Sequence, residues 1–177
     1  MGKLHEAAKG GNAEQINKIL KKPWLPIGRR GSRDVNEKDE EGFTPLMRAA
    51  ESGSLACIQA LVAAKADINL KHATGITALM LATVKGHATC IKALVVAGAD
   101  VNAKERVNGT TALHFAALFG RDDCMKSLVA AGADVNAKDN KGASAFQMAS
   151  MYGFSTCVQT LKTAGANDSW SIHLDRP

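Results

Sequence analysis

Apolar positions along the chain fall into two alternating clusters. The first is a large residue followed three positions on by two small ones: Leu46 with Ala49 and Ala50, Leu79 with Ala82 and Thr83, Leu113 with Ala116 and Ala117, Phe146 with Ala149 and Ser150. The second holds pairs at i, i+3 spacing: Ile58 and Leu61, Ile91 and Leu94, Met125 and Leu128, Val158 and Leu161. Both spacings gather side chains on one face of a helix, so each cluster predicts a helix of two or three turns. Helices that short are marginal alone and must be stabilised by stacking on neighbours. Polar and glycine positions punctuate the same pattern. Thr44, Thr77, Thr111 and Ser144 stand where an N-cap is needed, Pro45 occupies the first helical position, and Ser144 with Gln147 has capping-box spacing. Gly53, Gly86, Gly120 and Gly153 end the first helix of each pair with a residue that takes positive φ at little cost.

The pattern is periodic. GFTPLMRAA (42–50), GITALMLAT (75–83), GTTALHFAA (109–117) and GASAFQMAS (142–150) align directly, and the step between their leading glycines is constant but for one added position before Gly109. An incomplete copy opens the chain, with Leu4, Ala7, Ala8, Gly11, Ile16 and Ile19 matching Leu46, Ala49, Ala50, Gly53, Ile58 and Leu61. The step from Leu4 to Leu46 is longer than one period, so this junction holds nine extra residues. The repeat predicts a single all-α solenoid of five helix-turn-helix units at about 1–33, 34–66, 67–99, 100–133 and 134–167, with β-turn tips between units and a tail over 168–177. Lys3, Glu6, Lys9, Glu14, Asn17 and Lys18 polarise the outward side of the first unit, and Lys162 replaces the Val62, Val95 and Val129 of the inner units. The first and last units therefore read as caps of a complete array.

This pattern resembles the ankyrin repeat, which has a period of about 33 residues and a Thr-Pro-Leu-His-x-Ala signature. The resemblance spans positions 1 to about 167. Departures are local: only Pro45 keeps the proline, only His5 and His114 keep the histidine, one residue at or near Val107 is inserted, and Lys65 replaces a glycine. The resemblance implies a protein-binding module used as an adaptor, scaffold or inhibitor, with contacts along the turn tips and the groove lined by first helices. Aligned onto this chain, that surface gives Phe43, Arg48, Ile76, Val84, Lys85, Arg106, Leu118, Phe119, Met151 and Tyr152 as contact candidates. The series ending the first helices runs from Glu51 and Ser52 through Val84 and Lys85 to the apolar Leu118, Phe119, Met151 and Tyr152, which predicts a hydrophobic patch at the C-terminal end of the groove. The resemblance also implies that Asn36, Asn69, Asn102 and Asn136 can be substrates of asparagine hydroxylation.

Composition narrows the picture. With 46% hydrophobic and 22% charged residues the usage is globular, while 5% aromatics against thirty alanines predict an interior of small, closely packed side chains. No apolar run approaches the ~18 residues of a spanning helix, and the opening residues lack an apolar signal core. The expectation is a soluble chain in the cytoplasm, with the nucleus a second compartment open to it. The formal charge is +5, yet residues 21–33 carry five bases and no acid, and removing them leaves 17 charges of each sign. A neutral body argues against a nucleic-acid-binding surface and favours a monomer.

The remaining chemistry reads as structural. Cys57, Cys90, Cys124 and Cys157 follow Gly42, Gly75, Gly109 and Gly142 at one and the same offset, so they form a ladder with one thiol per second helix. Stacked helices are about 8 to 10 Å apart, too far for a disulfide, and a ladder does not converge on one ion. Free, half-buried thiols are expected. No histidine pair has metal-ligand spacing, no phosphate loop or nucleophile elbow is present, and no cofactor or catalytic activity is expected. The basic insertion (Lys21, Lys22, Trp24, Arg29, Arg30 and Arg33) carries an alternative reading. Pro23 and Pro26 forbid a helix there, and an extended projection would bind nucleic acid, an acidic lipid or a phosphorylated ligand, or act as a substrate through Ser32 in a basophilic kinase-like context.

Overall fold

The computed structural model describes residues 2–21 and 34–167. Among them ten helices pair in chain order: α1 (Lys3–Lys9) with α2 (Ala13–Lys21), α3 (Pro45–Ser52) with α4 (Leu55–Ala63), α5 (Ala78–Lys85) with α6 (Ala88–Val96), α7 (Ala112–Leu118) with α8 (Asp122–Ala130), and α9 (Ala145–Met151) with α10 (Ser155–Thr163). First helices stack on first helices and second on second, and the main contacts of each pair are with the pairs before and after it. Among the described residues there is no strand, only an isolated antiparallel bridge between Lys138 and Ser144. The molecule is an all-α helical-repeat solenoid.

Local chemistry places each helix. The Oγ1 of Thr44 and Thr77 and the Oγ of Ser144 accept the N–H three residues on at 3.3 Å. At α7 the His114 imidazole completes the cap: its Nδ1 accepts the Thr111 N–H at 3.2 Å while its Nε2 bonds the Ala143 carbonyl at 3.2 Å. Small residues let the first helices approach closely. Ala8, Ala49, Ala50, Ala82, Thr83, Ala116, Ala117 and Ala149 are wholly buried, so this row is the tighter, inner side of the stack.

The large apolar residues of both clusters form one continuous core, with Leu46, Leu79 and Leu113 from first helices meeting Ile58, Leu61, Ile91, Leu94, Met125, Leu128 and Leu161 from second helices. At the C-terminal end Phe146 and Val158 hold the positions buried elsewhere but remain half-buried, and the Lys162 ammonium lies 5.8 Å from the Phe146 ring. The Lys162 stem and its cation thus lie over the outer side of this last described helix pair. At the other end Lys3, Glu6, Lys9, Glu14, Asn17 and Lys18 are all exposed. Lys65 is the only described non-glycine residue with positive φ, at 65°; its counterpart Gly98 has φ 95° and open space where a Cβ would stand, which is why a side chain is sterically tolerated there.

A side-chain ladder ties the units together. Oδ1 of Asn36, Asn69, Asn102 and Asn136 accepts the backbone N–H of Asp67, Asp100, Asp134 and Asn167 respectively, each at 2.8 Å. The amides of Asn69, Asn102 and Asn136 donate to the carbonyls of Gly98, Gly132 and Gly165. Each asparagine clips the loop that closes its own unit onto the start of the next.

Candidate interaction surface

The inner row of first helices and the fingers that precede them (residues 36–44, 69–77, 102–111 and 136–144) form one continuous face. Its two ends differ in chemistry. At the N-terminal end the Arg48 guanidinium meets Asp39 and Glu41 at 2.9 Å and Glu51 at 3.2 Å, and lies 4.3 Å from the centroid of the Phe43 ring. The ring of His72 stacks on Phe43 at 4.6 Å. Burial raises the Asp39 carboxyl pKa, but the Phe43 N–H and the Arg48 guanidinium outweigh it and hold the group below the usual carboxylate range. Arg48, expected among the contact residues, is instead only 4% exposed. Three carboxylates and an aromatic face offset the charge internally, with Nε and Nη1 hydrogen-bonded and the buried Nη2 held by ion pairing alone. Beside it Lys9, Glu41, Arg48, Glu51 and Ser52 line a shallow depression of about 450 Å³, and the Lys85 ammonium reaches Glu51 at 3.8 Å.

At the C-terminal end the face is apolar. Phe119 is 43% exposed, Met151 70% and Tyr152 52%, while Leu118 and Val84 are half-buried. One residue of this end is not evident from the hydrophobic pattern. Phe154 occupies the position that holds His87 and Arg121 in the preceding units. Those two reach back to the previous first helix, His87 Nε2 to the Glu51 carbonyl at 3.3 Å and Arg121 Nε to the Val84 carbonyl at 3.2 Å. Phe154 reaches back the same way with an apolar ring, so close to Gly120 that an added Cβ would stand 2.6 Å from it, and it lies 6.5 Å from the Tyr152 ring. Alignment of the three positions is the signal that finds it.

A family model described as ankyrin repeats in three copies matches residues 4–105 and again residues 96–169. The chain belongs to the ankyrin-repeat family. Ankyrin repeats are generally protein-protein interaction modules and generally non-catalytic. A comparison with curated proteins finds no match. Among the described residues of this ankyrin array no helix is long and apolar enough to cross a membrane, and no group of three or more His, Cys, Asp or Glu side chains could hold a metal ion.

The other predicted residues are placed as follows. Ile76 is half-buried and Lys85 exposed. Arg106 is exposed, with its Nη1 donating to the Ala73 carbonyl at 3.3 Å. The four asparagines named as modification candidates are the ladder rungs described above. Cys57, Cys90, Cys124 and Cys157 sit one on each of α4, α6, α8 and α10, free and fully buried where half-burial was expected, because each faces the seam between its own helix pair and the neighbouring pairs. Burial pushes the thiols of Cys90 and Cys157 up, and that of Cys124 up to about 11. Lys21 ends α2 and is exposed. Lys22, Trp24, Arg29, Arg30, Ser32 and Arg33, and the tail from residue 168 onward, lie outside the described residues.

The inserted residue is absorbed by one carboxylate. Glu105 aligns with Asp39 and Asp139, which accept the N–H groups of their own tips. Its longer side chain accepts from Val107 N and Asn108 N at 2.6 Å, from Thr110 N at 3.2 Å and from Thr110 Oγ1 at 2.9 Å. Burial works to raise its pKa, but these four bonds prevail and hold the carboxyl below its ordinary value.

Proposed function

We propose that the chain is a protein-interaction module, acting as an adaptor, scaffold or inhibitor, that captures a partner protein along the concave face with Phe119 and Tyr152 as its principal anchors. It works as a single chain in the cytoplasm or nucleus, in keeping with its charge-balanced body. The observation that supports this reading is the exposure of Phe119, Met151 and Tyr152 on the ends of consecutive first helices. Aromatic side chains held on a rigid scaffold lose little entropy on binding, and such residues dominate interface energetics. With roughly half of a ~200 Å² side chain still accessible, each anchor offers about 2 kcal/mol on burial at ~25 cal/mol per Å². That corresponds to roughly 30-fold in affinity.

The test is affinity capture from native lysate with the intact chain and the Phe119→Glu/Tyr152→Glu variant. The expected result is a partner retained by the first and lost by the second, while the variant's urea midpoint stays near that of the parent. Equal capture by both, or unfolding of the variant, overturns the assignment of these residues as anchors.

A further inference from the structure

Charge balance over the whole body conceals a sharp segregation along the finger tips. In the fingers preceding α5, α7 and α9 the exposed charged side chains towards the tips are Lys71, Lys104, Arg106, Lys138 and Lys141, all cationic. The acids that share these tips are turned inward. Glu105 is 5% exposed and saturated by its own loop, and Asp139 Oδ1 accepts the N–H groups of Lys141 and Ala143 at 2.9 and 2.8 Å. The finger preceding α3 is opposite in character: Glu37, Glu40 and Glu41 are exposed and outnumber its one base, Lys38, whose ammonium donates to the Lys71 carbonyl at 2.8 Å as that of Lys104 does to its own neighbour.

The three basic tips form one rigid edge. Arg106 N donates to the Thr74 carbonyl at 2.8 Å, Asn140 N donates to the Asn108 carbonyl at 2.7 Å, and the Lys104 ammonium donates to the Lys138 carbonyl at 2.7 Å. The insertion is therefore pinned from both sides, and at its apex it holds Val107 67% exposed. Holding a valine up to solvent has no use in the core, and beside it stands Arg106.

We propose that this rim is a docking edge for an extended acidic segment of a partner protein, with Val107 contacting an aliphatic side chain of that segment. The inference rests on the reading of the inner face and tips as a binding surface and names the partner's chemistry. Neighbouring tips follow the helix spacing of about 8 to 10 Å, and an extended peptide rises about 3.3 Å per residue, so acids at every third position meet successive tips. The acidic finger before α3 fixes register, since a segment shifted by one tip would place its acids against Glu40 and Glu41. The same rim suits a nucleic acid poorly. Asp67, Asp100 and Asp134 stand exposed two residues before the same fingers and would repel a broad polyanion, and Phe43, whose ring could stack on a base, is sandwiched between Arg48 and His72.

The experiment selects binders from a display library of random dodecapeptides on the intact chain. The selected peptides are then measured by fluorescence anisotropy against three proteins: the parent, Arg106→Glu/Lys141→Glu, and the control Lys18→Glu/Lys92→Glu, which removes equal charge from exposed positions on α2 and α6. The expected outcome is enrichment of acids at every third position around an aliphatic residue. Affinity should fall at least tenfold on the rim variant and less than twofold on the control, and Val107→Ser should lower it several-fold. Selection of neutral or basic peptides, equal loss on the control, or tighter binding of single-stranded oligothymidylate or phosphatidylserine vesicles overturns the proposal. Should acidic enrichment fail while the Phe119 and Tyr152 substitutions still abolish partner capture, the rim inference falls and the reading of the apolar anchors stands.

Discussion

Gly120 offers a sharp test of how the units fit together. It has φ 62°, and a Cβ built on it would stand 2.6 Å from two carbons of the Phe154 ring in the next unit. Carbon contacts are optimal near 3.5 to 4.0 Å, so Gly120→Ala forces the ring back by about 1 Å. The left-handed backbone costs alanine about 1 to 2 kcal/mol, of which the stiffer unfolded chain returns about 0.4 to 1, leaving a net loss near 1 kcal/mol. Overpacking adds about 1 to 3 kcal/mol. Gly153 isolates the two contributions: it occupies the same position one unit later with φ 75° and, among the described residues, nothing within 4 Å of its Cβ site. Urea unfolding followed by far-ultraviolet circular dichroism should therefore show Gly153→Ala losing about 1 kcal/mol and Gly120→Ala about 2 to 4. In a Phe154→Ala background the Gly120 substitution should fall back to the cost seen at Gly153, giving a coupling energy of about 1 to 3 kcal/mol. Equal losses at the two glycines, or a Gly120 cost unchanged by removing the ring, would refute the contact between units as the source of the effect.

His114 sets a pH dependence. Burial lowers its pKa, and although the Ala143 carbonyl and the Asp139 charge work the other way, the net shift is downward; its Nδ1 also already accepts the Thr111 N–H, a bond that a proton there would displace. The histidine is neutral when folded and protonates more readily when unfolded. Its contribution is thus complete above the unfolded value near 6.5 and is lost as pH falls from there towards the folded pKa, at up to about 1.4 kcal/mol per unit. His114→Gln, copying the Gln147 Oε1 that accepts the Ser144 N–H in the next unit, should flatten the stability profile between pH 7 and 5; an unchanged slope in urea titrations counts against the assignment. Glu105→Gln should cost about 1 to 3 kcal/mol, because an amide nitrogen must face an N–H donor on one side of the loop, and amide exchange at Val107 and Asn108 should accelerate. Exchange rates equal to the parent's would show that the carboxylate does not hold the insertion.

Much of this architecture is legible in the sequence because it is local and repeated. N-caps, terminal glycines and i, i+3 pairs recur in phase from unit to unit, and each helix they predict is present. What is not legible depends on several fingers at once. Arg48 aligns with the half-buried Leu81, Phe115 and Met148, and only the convergence of Asp39, Glu41, Glu51 and Phe43 explains why a cation is interior there. An extra residue near Val107 is countable, but its stabilisation by Glu105 requires knowing that a glutamate reaches donors an aspartate would miss. The basic rim escapes a whole-chain charge count because its compensating acids lie at the base of the fingers and in the first two units. The apolar end of the groove is visible as a series of aligned residues, whereas the role of Phe154 emerges only when it is compared with the polar residues that make the same backward reach.

The asparagine ladder has a mechanical consequence. The clips at Asn69, Asn102 and Asn136 each grip two backbone groups of one loop with a single planar amide, so they have no half-open state of comparable strength. Pulled from its two ends, the array should lengthen in a staircase, each tread the release of one unit's slack. A tethered partner would then feel a device that yields in quanta under tension and re-zips when the load is removed.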